Sequence, residues 1–330
     1  MSTLAPLAMH AVLASATPWL VPAGVIPLPA AVESAAFTVA DPEDLRVFIN
    51  RPGTGRTLQL RIGSDRLPRE LPSLPLVAAG ATTCGPLVLV TGADPAGAPL
   101  AVALDAQGAI AWQTPISGPP PSRWPLPGCL DGPMALWQTR PGTLEVADLG
   151  PAGLTGQRSF PVGGPPLELA VGGGAAWALW TASGAPHGLA VRGAQAAPFA
   201  LPVGRADSVA IGAWTGGAAV AWVLGSTAAL APLDPATGRV GAVEETDLGD
   251  TAGGTLALVP GPRPLLWAQR RRGDEGEAVS WTSRLSGPAG RTITIDGLVY
   301  DITWWEDLLA VLGTSELWLL RAAGGGGSSP

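Results

Sequence analysis

A β-propeller of seven four-stranded blades, all-β and closed by its own N-terminal segment, is the fold class this sequence predicts. Three observations predict it. One apolar strand pattern recurs seven times at a near-constant step. The 330 residues include 45 glycines and 35 prolines, which break helix and strand interiors and so demand many short elements. The last repeat lacks a strand that the N-terminus can supply.

The recurrent element is an apolar run ending in a small or polar residue. It reads Leu45 to Arg51, Pro86 to Gly92, Met134 to Arg140, Ala175 to Thr181, Ala219 to Gly225, Pro264 to Arg270 and Asp307 to Gly313. The ends fall 41 to 48 residues apart, the length of a four-stranded blade. A small, apolar strand precedes it at Leu167 to Val171, Ser208 to Gly212 and Thr255 to Val259. Small side chains suit an inner strand, where blades crowd toward the axis. A third strand follows at Leu100 to Leu104, Leu144 to Asp148, Gly188 to Val191, Ala278 to Arg284 and Glu316 to Arg321. A fourth is expected at Ala109 to Thr114, Arg158 to Val162, Pro198 to Val203, Arg239 to Val243 and Arg291 to Ile295. Gly, Pro, Asp or Asn bounds these runs, as turn chemistry requires.

After Glu316 to Arg321 the chain runs into Gly324 to Pro330, a flexible Gly/Ser tail by composition. The seventh blade therefore wants an outer strand, and the apolar segment of about Ala16 to Pro29 is free to provide it. Closure leaves only short, protected sheet edges. The expected organisation is one domain over residues 1–323, with 1–34 as the closing arm and 324–330 as the tail.

Two segments, Leu104 to Trp112 (LDAQGAIAW) and Leu233 to Val240 (LDPATGRV), each join an Asp to a tight Gly turn and a hydrophobic strand. They resemble the repeats of PQQ-like and YVTN-like propellers. The resemblance covers two of the seven repeats and implies the fold, with no cofactor. No Trp-Asp signature, Asp-box or kelch pattern occurs, so "WD40-like" describes only the expected architecture.

Composition excludes several functions. Net charge is −7, and all 19 basic residues are arginine. An acidic chain without a basic stripe is a poor partner for nucleic acid or anionic membrane. The absence of lysine removes Walker-type phosphate loops and Schiff-base chemistry. No apolar run reaches membrane-spanning length without a Pro or Gly. Leu4 to Leu13 is apolar, but the first basic residue is Arg46, so a secretory n-region is missing and a cytoplasmic location is expected. Two cysteines, Cys84 and Cys129, sit at comparable places in successive repeats and could approach each other. In a reducing cytoplasm they are expected as buried thiols. With two histidines, His10 and His187, no metal site is expected.

Propellers usually bind around the axis, on the face where inner strands begin and second-to-third hairpins turn; this is fold-level analogy. On that upper face the repeat mapping places Glu168, Asp207 and Asp301, each near the start of an inner strand. Paired carboxylates can serve acid–base work or cation binding; the simpler role is to satisfy backbone donors in loops. His187, in the hairpin GAPHG, is a proton-shuttle candidate without a recognisable partner. Arg270, Arg271 and Arg272 precede Asp274, Glu275 and Glu277 in a charged hairpin that could clamp an anionic partner. Of the 13 tryptophans, Trp137, Trp177, Trp222 and Trp267 lie on second strands and should pack between blades. Trp304 and Trp305 are adjacent and face opposite sides of a strand, while Trp112 and Trp214 are further candidates for exposure.

The resulting expectation is a non-catalytic propeller scaffold of a bacterial complex, docking a protein partner through Glu168, Asp207, His187, Arg271, Arg272, Asp301 and Trp304, with no cofactor. The alternative is a carbohydrate-binding or carbohydrate-cleaving propeller using exposed Trp and the mouth carboxylates. No catalytic signature such as G-x-S-x-G is present.

Overall fold

The structure, a computed structural model, describes residues 19–33, 35–40, 44–117, 123–140, 142–162, 168–251, 253–261, 264–272, 280–287 and 291–323. The apolar run Leu4 to Leu13, His10, the acidic residues Asp274, Glu275 and Glu277, and the Gly/Ser tail lie outside them.

Six four-stranded antiparallel sheets follow one another over 36–74, 77–115, 123–161, 168–200, 208–247 and 255–296. In each, strand order is sequence order. The seventh is Asp301–Trp305, Leu308–Leu312, Glu316–Ala322 and, as its outer strand, Leu20–Pro27. All seven recurrent runs are second strands: Leu45–Arg51, Leu87–Ala93, Pro133–Arg140, Ala175–Ala182, Gly217–Leu224, Leu265–Arg272 and Leu308–Leu312.

Closure runs from Leu20 opposite Ala322 to Pro27 opposite Glu316, with a bulge between Pro22 and Gly24. An outer strand has a free edge, so its prolines cost no ladder bonds that the sheet needs. Leu20 and Ile26 are buried, and the chain beyond is held by Leu28 N–H donating to the Ser315 carbonyl (2.9 Å) and Val32 N–H to that of Thr314 (2.7 Å).

The core is a set of layers between neighbouring blades. Ile26, Val47, Leu58, Trp305 and Leu319 join the seventh blade to the first. Leu136, Phe160, Ala178 and Trp180 join the third to the fourth. Trp177, Phe199, Val220 and Trp222 join the fourth to the fifth. Each second strand is apolar on both faces because it has a blade on either side. The four second-strand tryptophans pack there as expected, with Trp137 and Trp177 fully buried. Trp177 meets Phe199 edge-on at 5.8 Å between ring centroids. Crowding toward the axis explains the small residues of the inner strands. A Cβ on Gly128 would lie 2.4 Å from the Val171 side chain of the next blade.

Polar staples cross the same layers. In three blades the residue one place before the end of the second-strand run is a buried polar side chain that bonds to the next blade. The Asn50 amide donates to the Ala78 carbonyl (2.8 Å) and accepts from Ala78 N–H (2.9 Å). The Thr91 hydroxyl donates to the Pro125 carbonyl (2.5 Å). Gln269 accepts from Val299 N–H (2.8 Å). Low down in the first blade, buried Arg46 donates to the Ala106 carbonyl (2.6 Å) and to Gln59 (3.2 Å). Gln59 in turn donates to the Gly108 carbonyl (3.1 Å). Together they seat the Asp105 turn of the second blade.

That turn carries the repeat resemblance. Asp105 Oδ1 accepts from Gln107 and Ala109 N–H, both 2.9 Å. Asp234 accepts from Ala236 N–H (2.8 Å) and from the Thr237 hydroxyl (2.6 Å). Asp94 closes a third turn of this kind through Ala96 and Ala98. In each an Asx bond adds to the backbone bonds of the turn, and Gly97, Gly108 or Gly238 takes the positive φ that follows.

Three expectations need correction. The outer strand of the fifth blade is Glu244–Asp247, while Arg239 to Val243 keeps only the bridge from Leu233 to Val240. The wide Asp234 turn consumes the residues expected in the strand. The cysteines are a disulfide and not separate thiols. Cys84 and Cys129 end the inner strands Val77–Cys84 and Arg123–Cys129 of adjacent blades, which brings their Cα atoms to 5.2 Å, within disulfide reach. Arg270 to Arg272 are the end of the strand Leu265–Arg272 and not hairpin tip, with Arg271 opposite Trp281. A second strand longer than the apolar run continues the ladder through them.

Candidate binding face and channel mouth

The upper face carries the starts of the inner strands and the second-to-third hairpins. Glu168 opens the inner strand Glu168–Gly172 opposite Leu179 and is half-buried. Asp207 precedes the inner strand Ser208–Trp214. Its carboxylate accepts from Gly225 N–H (2.8 Å), holding the hairpin of its own blade, and lies 3.7 Å from the exposed Arg205. It satisfies a backbone donor, the simpler of the two roles considered.

Asp301 opens the inner strand of the seventh blade and turns toward the first. Its Oδ2 accepts from Thr38 N–H (2.6 Å) and the Thr38 hydroxyl (2.9 Å), and its Oδ1 from Ile302 N–H (2.9 Å). Burial pushes its carboxyl up to about 6, although those three donors favour the charged form. Asp301 is thus a bond across the closing seam. Beside it the Tyr300 hydroxyl donates to the Val32 carbonyl (2.9 Å), and burial with nearby Glu33 raises its pKa.

His187 lies on the strand Ala185–Arg192, past the turn in which it was expected. A tighter hairpin at Ser183 and Gly184 moves it into the ladder opposite Trp180. It is exposed and stacks on the Trp180 ring, with centroids 6.0 Å apart. Arg271 is exposed. Trp304 is half-buried against the sixth blade, where Gly261 leaves room for its ring, and Trp305 is buried against the first. Trp112 and Trp214 are also half-buried, and no tryptophan whose side chain is described is exposed.

These residues sit on several blades and do not converge. Among the described residues no three His, Cys, Asp or Glu side chains could share a metal ion. No helix among them is long and apolar enough to cross a membrane.

What the face does present is an apolar cavity of about 410 Å³ at the channel mouth. Phe37, Val77, Ala79, Leu126 and Leu169, from the inner strands of four successive blades, line it, with Asn50 at its wall. Its size is that of a ligand pocket, roughly 300–1,000 Å³. Val77 is 39% exposed at its rim, and Phe37, Ala79, Leu126 and Leu169 are half-buried. Sequence reasoning missed the cavity because these residues look like ordinary strand starts. Only the ring, by setting Phe37 near Leu169, makes a pocket of them.

No family model and no curated protein sequence matches the chain. Solved structures do. The WD40 domain of Toxoplasma gondii coronin aligns with 94% of this chain and 88% of its own, at 11% identity and TM-score 0.56. The WD40 repeats of RRP9 align with 95% of this chain and all of theirs, at 10% identity and TM-score 0.56. YCF48, solved bound to a D1 peptide, aligns over 92% and 97%, at 16% identity and TM-score 0.53. At such identities the likeness is one of fold. Seven closed blades, seven recurrent second strands and these alignments make the fold of this chain a seven-bladed β-propeller.

Proposed function

We propose that the chain is a non-catalytic interaction scaffold whose protein partner docks on the upper face, as part of a bacterial complex. The observation that carries this reading is the apolar cavity at the mouth, open on the face where propellers usually bind. The mouth carboxylates support it: Asp207 and Asp301 are engaged with backbone and Thr38 donors, as framework groups are. Arg271 and His187 are exposed on the same face and Arg272 follows in the ladder, so all three belong to the proposed docking area, with Glu168 at its inner edge; Trp304, next to last in its inner strand and opposite Leu309, stands at the lower end of its blade and outside that area. The carbohydrate alternative needs exposed indole platforms, and half-buried Trp304, Trp112 and Trp214 do not favour it.

The Cys84–Cys129 bond supports a reading of location. Disulfides persist in oxidising compartments. We therefore place the working protein in such a compartment, in preference to the cytoplasmic location the sequence suggests.

The test is site-specific capture. A photo-crosslinking side chain at position 77, in the cavity, should trap one defined partner in native host cells. The same group at position 65, on the opposite face, should not. Equal trapping from both positions, or none from 77, overturns the reading.

A further inference from the structure

The cavity has a charged edge. Asn50, in its wall, is followed directly by Arg51, the last residue of the second strand Leu45–Arg51. Across the hairpin Arg51 pairs in register with Arg56. Residues directly opposite in an antiparallel pair put their side chains on the same side. Both arginines are exposed, and no carboxylate pairs with either among the described residues. The hairpin between them leans on the next blade, since a Cβ on Gly55 would lie 3.5 Å from the Pro95 side chain. The carboxylate that adjoins Pro95, Asp94, is occupied in its own turn by Ala96 and Ala98 N–H.

Like charges directly opposite each other on a ladder destabilise it. Elsewhere on this blade Arg61 pairs with Asp44 and Arg69 with Asp65. The Arg51 and Arg56 pair is unmatched in a chain of net charge −7; it follows directly on the cavity-wall residue Asn50 but, by strand alternation, leaves the sheet on the seventh-blade side, as Ile49 and Leu58 do. Guanidinium forks are suited to binding carboxylates bidentately.

We propose that the upper face binds an extended acidic peptide that crosses the rim of the first blade, an apolar side chain filling the cavity on one side and neighbouring Asp or Glu side chains pairing with Arg51 and Arg56 on the other. Successive residues of an extended chain advance about 3.3 Å, so one short segment spans cavity and hairpin. The proposal rests on the scaffold reading and names the chemistry of its partner.

The experiment is a selection of phage-displayed random dodecapeptides on the full chain, followed by affinity measurement by fluorescence anisotropy. Enriched peptides should carry an apolar residue within two or three positions of Asp or Glu. Their affinity should fall at least tenfold with Arg51→Ala plus Arg56→Ala, and at least threefold with Val77→Gln. All three positions are exposed, so melting temperatures should stay within about 2 °C, which separates lost binding from lost folding. Rising salt should weaken binding to the wild type and hardly affect the residual binding of the double arginine variant. Peptides that bind all variants equally would overturn this site while leaving a docking role elsewhere on the face intact. Enrichment of basic or uncharged peptides would overturn the charge assignment. A library yielding no binder would count against both readings. Octanoate binding at this site more tightly than any selected peptide would replace the peptide with a small amphiphile.

Discussion

Reducing the Cys84–Cys129 bond should lower stability by a calculable amount. The bond closes a loop of sequence separation 45 between the inner strands of the second and third blades. In the chain-entropy treatment a cross-link over such a loop removes roughly 13 cal/mol/K from the unfolded ensemble, or about 4 kcal/mol at 25 °C. Unfolding entropy near 2.1 cal/mol/K per residue gives a chain of this length about 0.7 kcal/mol/K. The expected fall in melting temperature is therefore about 6 °C. Reduced wild type is the better perturbation, because it keeps every atom in place except the bond. Cys84→Ala with Cys129→Ala also removes buried sulfur from a layer that includes Leu89 and Ala103, and should fall a little further. The assay is scanning calorimetry with and without a phosphine reductant, with thiol labelling to confirm the redox state. A shift below about 1 °C on complete reduction would refute the argument. It would mean either that the bond is absent or that the unfolded chain already holds these blades together.

Deleting residues 1–34 removes Leu20–Pro27 and exposes the edge of Glu316–Ala322; cooperative melting should be lost, and a truncated chain that melts like the full one would refute closure. Asp301 has a folded pKa of about 6, above the usual carboxylate value. The folded state thus holds its proton more tightly than the unfolded state, and stability should fall as pH rises from about 4 through 6, then level off. The shift corresponds to on the order of 2–3 kcal/mol. Asp301→Asn should remove that slope, so denaturant melts of variant and wild type should diverge in the variant's favour from pH 4 to pH 7; a constant difference would sink the idea. Arg271→Ala with Arg272→Ala should leave the melting temperature nearly unchanged but weaken binding of the native partner, most at low salt. Unchanged affinity across ionic strengths would place the contact elsewhere.

The seven second strands were legible because both their faces are buried. A run such as Leu45 to Arg51 is apolar enough to show at a fixed step, and blade count and closure followed from it. Inner strands were legible only where they are short and regular, as at Thr255–Val259. The fifth outer strand was misplaced because exposed edge residues such as Glu244 and Glu245 carry no hydrophobic signal. The candidate site was far less legible. Asp207 and Asp301 were placed at the entries to the correct inner strands, but which donors they meet depends on Gly225 and on Thr38, 263 positions away from Asp301. Nothing in the sequence reading marked Asn50, Thr91 and Gln269 as staples between blades, because a polar residue near the end of an apolar run looks like the start of a turn. Arg51 and Arg56 looked like ordinary strand ends until their register put them face to face.

The closing strand also sets a clock. Leu20–Pro27 emerges from the ribosome early, yet its partner Glu316–Ala322 is made nearly three hundred residues later. At roughly 5–20 residues per second, that is an interval of about 15–60 s. Throughout it, Leu20 and Ile26 have no seventh blade to shelter them. Six blades can stack as they appear, but the first strand must wait for the last. Whatever protects that segment during synthesis, whether a chaperone or a transient resting place on an early blade, acts on the timescale of translation and not on that of folding.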